Sequence, residues 1–126
     1  MRIIATIQNE SVIAAWGGGI CRSVVLSEER IAHINERHPG VYEVFRDEIT
    51  ATIEQPDYVF DDRKNVNTAV FIRESGKTNL NVVVRLALED HPAGLFSSVI
   101  TLYPMSAKRL RRLMRKVKAV YKAPHL

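Results

Sequence analysis

The sequence predicts an α+β domain, with N-terminal helices packed on a mostly antiparallel sheet and a basic amphipathic helix closing the chain. Three observations predict it. Apolar residues recur at helical spacing from about Glu28 to Gln55. They then fall on every second residue between Asp57 and Tyr103, and return to helical spacing from Ser106. Hairpin-length connections join the strands, which suits antiparallel pairing. Helices and strands come in blocks rather than in alternation, the order of α+β folds. With 126 residues and no linker or internal repeat, the chain reads as a single domain, residues 1–126. It is long enough to bury a core without disulfides or metals.

Taken in order, Arg2–Ile7 is an N-terminal strand. Asn9-Glu10-Ser11 is a turn, and Val12–Trp16 can pair back as a hairpin. Gly17-Gly18-Gly19 breaks the chain without the Lys-Ser/Thr of a phosphate-binding loop, so it reads as a turn. Ile20–Leu26 is too short to assign. Ser27 then caps a helix from Glu28 to Arg37. Its hydroxyl can accept from a first-turn N–H, and Glu28 and Glu29 sit at the positive end of the helix dipole. Pro39 disfavours helical geometry at His38, so the helix stops there. A second helix runs from about Val41 to Gln55 with Val41, Val44, Phe45, Ile49 and Ile53 on one stripe, and Pro56 ends it. Strands follow at Asp57–Asp61, Thr68–Arg73, Leu80–Leu88 and Ser97–Tyr103, with a tight turn at Glu74–Lys77 and a polar loop at Glu89–Gly94. The last helix spans Ser106 to about Lys122, with Leu110, Leu113, Met114, Val117, Val120 and Tyr121 on its apolar stripe.

Net charge is +4, but the charge is unevenly spread. Eight of the eighteen basic residues and none of the fourteen acidic ones lie between Ser106 and Lys122, so the rest of the chain is net negative. A local basic face of this kind points to a polyanionic partner. Lys108 and Arg109 stand in the first turn, where the helix dipole disfavours cations, so an anionic ligand at that end would relieve them. The single cysteine, Cys21, excludes an internal disulfide and a Cys-rich zinc site, and suits a reducing compartment. No stretch has the length of a secretory signal or a membrane span, so the cytoplasm is the expected location.

Alternation sorts the strand residues onto two faces. Leu80, Val82, Val84, Leu86 and Leu88 form an apolar face. Arg85 belongs to the other, with Thr101, Tyr103 and Val99 from the next strand, and Arg73 is grouped with them. A cation, a hydroxyl and a phenol among small apolar residues suit a phosphate, although a solvated outer face has the same composition. Arg85 is the sharpest position. Held mid-strand, its guanidinium offers fixed donors to a phosphate or oxyanion, or else pairs across strands with an acid.

Histidine is the side chain suited to general acid–base work near neutral pH. His38 follows Ile34 and Ile31 on the helix and leans toward the apolar side. His33 shares a face with Arg37. Either can be a core histidine or one aimed into a cleft. His33 and His38 are five apart, which misses the i, i+4 spacing of a helical zinc clasp. Asp61-Asp62 lacks a calcium-loop pattern, so no metal or other cofactor is expected.

The order Ile-Asn-Glu-Arg-His38-Pro, Pro56-Asp57, Val-Val-Val-Arg85, and Val99-Ile-Thr101-Leu-Tyr103-Pro resembles the phage-associated nuclease families of the barnase–EndoU–colicin–RelE superfamily, over about Val24 to Tyr121. The resemblance implies N-terminal helices on a curved antiparallel sheet and metal-independent RNA cleavage. It places catalysis on His38, Arg85 and Thr101, with His33 and Tyr103 as further carried-over positions. RNA would be held by Arg37, Arg73, Lys108, Arg109 and Arg112. A cell carrying such an enzyme needs an inhibitory partner, an antitoxin or immunity protein. The competing expectations are a non-catalytic nucleic-acid-binding module and a phage or toxin interaction protein.

Overall fold

The computed structural model describes residues 2–88 and 96–126. The polar loop expected at Glu89–Gly94, with His91, lies outside the described residues. The strands are β1 (Arg2–Thr6), β2 (Ser23–Leu26), β3 (Tyr58–Asp61), β4 (Thr68–Ser75), β5 (Thr78–Arg85), β6 (Ser97–Met105) and β7 (Tyr121–Lys122). They form one seven-stranded sheet in the order β1-β2-β6-β5-β4-β3-β7. Every pairing is antiparallel except β2 with β6. The chain is therefore α+β, as its block order predicts.

The helices are α1 (Glu10–Ala15), α2 (Glu28–Arg37), α3 (Val41–Phe45), α4 (Ile49–Glu54) and α5 (Ala107–Lys116). Where a hairpin strand was expected after β1, α1 forms instead. Asn9 caps it, its side chain accepting from the Val12 N–H at 3.1 Å. Val12 and Ile13 are both buried, and successive residues of a strand would point to opposite faces. The long second helix is broken into α3, a 3-10 turn at Arg46–Glu48, and α4. The break rotates the expected apolar stripe, so Val44 is 70% exposed while Phe45, Ile49 and Ile53 are buried. Between α2 and α3 the chain reverses at Gly40, whose φ of +81° is open to glycine at little steric cost.

Two cores sandwich the sheet. On one face Val59, Ala69, Phe71, Leu80, Val82, Val84, Val99 and Leu102 meet Val12 and Ile13 of α1, Ile34 of α2, Phe45 of α3, and Ile49 and Ile53 of α4. Side chains as fully buried as Phe71, Leu80 and Leu102 each contribute roughly 1.5–3 kcal/mol. On the opposite face Phe60, Ile72 and Met105 pack with Leu110 of α5. That helix is shorter than its apolar pattern suggested. At Val117 the backbone is already extended (φ −132°, ψ 133°), and β7 follows and pairs with β3. β-branched Val117 and Val120 favour that change.

The register of β6 departs from simple alternation. Val83 faces Thr101 and Val84 faces Val99, so Ile100 is an extra residue, a bulge. Val99 consequently turns into the first core, away from the Thr101–Tyr103 face on which alternation placed it. Two more expectations shift. β6 runs past Pro104 to Met105, and β5 ends at Arg85, with Leu88 forming only an isolated bridge to Ile20.

Candidate active site

β2 pairs with β6 only through Val24–Ser97 and Val25–Ser98. Among the described residues that side of β6 has no strand partner from Thr101 onward, and α2 and α3 both contact β6. Because α2 starts directly after β2 at the Ser27 cap, its far end is delivered to this gap. His38 is the C-cap, with extended geometry (φ −135°, ψ 74°) imposed by Pro39. Its N–H donates to the Ile34 carbonyl at 2.7 Å, and Ile34 is fully buried, so the turn is anchored to the core. The His38 ring lies 5.9 Å from the Tyr103 ring, tilted by 32°, within the range of favourable aromatic pairs. Among the described residues, neither ring nitrogen of His38 is hydrogen-bonded or ion-paired within the protein.

The face presented to this histidine is the one that α5 covers only in part. Paired residues across antiparallel strands share a face, so Thr101, Val83 and Val70 lie in one row. Tyr103, Asn81 and Ile72 form the row beside it, and Ser98, Arg85 and Thr68 the row on the other side. Thr101 is thus flanked by Tyr103 two residues along its own strand and by Arg85 diagonally across, each about 7 Å away at the backbone. Arg85 is exposed and faces two hydroxyl residues, Thr68 and Ser98, rather than an acid. Among the described residues its guanidinium has no ion pair. The cross-strand acid that would have made Arg85 structural is absent there.

The α5 helix crosses this face from β6 toward β3. Arg111 and Met114 line a cleft with Glu74, Lys77, Thr78 and Asn79, at the β4–β5 hairpin end. At 3.6 residues per turn, Arg109 and Lys116 stand on the flank away from that cleft, and Arg112 projects between the two flanks. Lys108, Arg109 and Arg112 are exposed, and among the described residues no cation of α5 is in an ion pair.

The remaining sequence-predicted residues fall in two groups. Arg37 is exposed at the end of α2 beside His38, whereas His33 is half-buried a turn and a half earlier, and the ring beside Tyr103 is that of His38. Arg73 does not join the site. It pairs with Leu80 and therefore belongs to the other face, where its guanidinium donates to the Gln55 carbonyl at 2.5 Å. It lines a separate cleft with Asp57, Tyr121 and His125. Sequence reasoning also missed a cavity of about 510 Å³ next to Arg85, lined by Asn65, Val66, Asn67, Phe96 and Ser98. The Asn-Val-Asn loop was its only written trace.

Among the described residues no three His, Cys, Asp or Glu side chains gather into a metal site, and no helix is long and apolar enough to cross a membrane.

An α+β domain whose sheet keeps one polar, cation-flanked half open beside an edge histidine is the class that fold and site define. The chain belongs to the family described as phage-Barnase-EndoU-ColicinE5/D-RelE like nuclease2, whose model matches residues 6–122. That membership makes the domain nuclease-like, and nucleic acid is the substrate class it brings. Comparison with curated proteins and with solved structures returns no match.

Proposed function

We propose that this protein is a metal-independent endoribonuclease that cleaves RNA by internal transphosphorylation. The ribose 2′-OH attacks the adjacent phosphorus, the new 2′-O–P bond forms, and the P–O5′ bond breaks. The products are a 2′,3′-cyclic phosphate and a 5′-OH, which only RNA can yield. The proton leaving the 2′-OH and the proton reaching the 5′ oxygen need a general base and acid, and His38 fills one of these roles. Arg85 stabilises the charge that grows on the phosphate oxygens, and Thr101 hydrogen-bonds one of them. Tyr103 orients His38, and His33 supports the helix end. Arg37, Lys108, Arg109 and Arg112 hold the flanking backbone.

The observation that carries this reading is the sheet face shared by Tyr103, Thr101 and Arg85, with the His38 ring 5.9 Å from the Tyr103 ring and exposed α5 cations that, among the described residues, are in no ion pair. A chain of this kind acts on cytoplasmic RNA as a phage-associated toxin. It needs an inhibitory protein, whose acidic surface would cover the same cations. The unpaired cations alone also suit a non-catalytic nucleic-acid-binding module. Purified protein incubated with labelled RNA and DNA in EDTA, at two salt concentrations, decides between them. Cleavage of RNA alone, ending in cyclic phosphate, supports the enzyme. Salt-sensitive binding without cleavage supports the module.

A further inference from the structure

The cavity beside Arg85 has a composition that the reaction above does not use. Among the described residues its lining brings together the half-exposed Phe96, Val66 at 84% exposure, the carboxamides of Asn65 and Asn67, the Ser98 hydroxyl and the Arg85 guanidinium, with no acid among them. The wall is built rather than incidental. The Asn67 backbone sits in the left-handed region at φ +53°, and its carbonyl accepts from the Leu86 N–H at 2.7 Å. The Thr68 hydroxyl donates to the Val66 carbonyl at 3.0 Å, and Asp62 accepts from the Asn65 side-chain amide at 3.1 Å. These bonds hold an apolar side chain out in solvent. Among the described residues the Asn67 carboxamide has no hydrogen-bond partner.

An aromatic face, a carboxamide carrying a donor and an acceptor side by side, and an adjacent guanidinium are what an unstacked nucleotide needs. The ring stacks the base, the amide reads its edge, and the cation takes the phosphate. Some 510 Å³ is room for a group of that size. We infer that this cavity is a nucleobase subsite. It seats the base next to the phosphate held by Arg85, with Phe96 as stacking platform and Asn67 as the residue that sets base preference. The inference rests on the ribonuclease reading for its place in the reaction, but not for binding itself.

Two variants isolate the roles. Asn67→Gly keeps the left-handed backbone and removes only the amide. Phe96→Leu keeps apolar bulk and removes the aromatic face, and Phe96→Tyr restores it. The probes are the 2′-deoxy dinucleotides, which cannot be cleaved by this route, followed by NMR at the Asn67 side-chain amide and the Phe96 ring, and a random-sequence RNA pool whose cut ends are sequenced. The dinucleotides are expected to shift both signals. Phe96→Leu should weaken their binding about fivefold or more, with recovery in Phe96→Tyr. Asn67→Gly should flatten the base preference beside the cut by about tenfold. Shifts confined to α5, or wild-type affinity and base distribution in both variants, would overturn the subsite. Binding at Asn67 and Phe96 by a protein that leaves RNA intact would sustain the subsite and sink the ribonuclease. Cleavage without base preference would do the reverse.

Discussion

His38 and Tyr103 come from elements far apart in the chain, yet their rings stand 5.9 Å apart at the open edge of β6. The pairing sets the histidine beside Tyr103, which shares a sheet face with Thr101 and Arg85. Tyr103→Ala should therefore lower kcat more than it raises KM, because a displacement of about 1 Å can cost roughly a hundredfold. Tyr103→Phe keeps the ring pair and should stay within a few-fold of wild type. Single-turnover cleavage of a short RNA distinguishes the two; equal losses would mean that the phenol, not the stacking, matters.

His38→Ala and Arg85→Ala should each reduce cleavage by roughly two orders of magnitude or more, the scale of general acid–base and oxyanion-type contributions. Arg85→Lys should recover only part of the rate, since a point charge does not reproduce the fixed fork of donors. Arg85 is exposed, so its variants should melt like wild type, which circular dichroism checks. Full activity in both alanine variants would remove these residues from the reaction.

The cations of α5 predict a salt dependence. Replacing Lys108, Arg109 and Arg112 together with Ala should weaken RNA binding across sequences. It should also reduce the slope of log Kd against log salt by about 2, at roughly 0.7 per contact for a single strand. An unchanged slope would mean that this flank does not track the backbone.

Arg73→Ala should leave RNA affinity and its salt slope unchanged, because the guanidinium is on the opposite face and bound to the Gln55 carbonyl. Its cost should appear as stability, about 1 kcal/mol in urea denaturation.

Beneath α5, Asn81 is fully buried and its Oδ1 has no partner among the described residues, while its Nδ2 contacts the Met105 sulfur at 3.7 Å. A buried unpaired acceptor costs about 1–3 kcal/mol, so Asn81→Leu should raise the denaturation midpoint. A lower midpoint would mean that the amide makes a bond on this face that the side-chain geometry does not reveal.

Much of this was legible in one dimension. Ser27, the two glutamates and Pro39 bound α2 because capping, dipole and proline sterics act within a few residues. The family motifs named His38, Arg85 and Thr101 by their order. The clustering of cations after Ser106 needs no structure to be seen. The misreadings share a different cause. Asn9 reads from sequence as a turn residue, yet its side chain caps a helix, since the same hydrogen bond serves both. Arg73 reads from sequence as a neighbour of Arg85 but pairs with Leu80 on the other face, because alternation leaves open which parity faces which layer until a partner strand is placed. The cavity at Asn67 and Phe96 joins residues about thirty positions apart and has no periodic signature.

By itself, then, the sequence determined most of the local elements, the charge of α5 and the side chains proposed for the reaction, all read from short-range chemistry. Only the tertiary structure decided which of them meet. One extra residue at Ile100 turns Val99 into the core while leaving Thr101 and Tyr103 on the face that carries Arg85. The early end of β2 pairing frees the later part of β6, where the Tyr103 ring meets that of His38. Register and edge are properties of strand pairs, and a shift of one residue reverses every side chain, so no pattern within a single strand could have specified either.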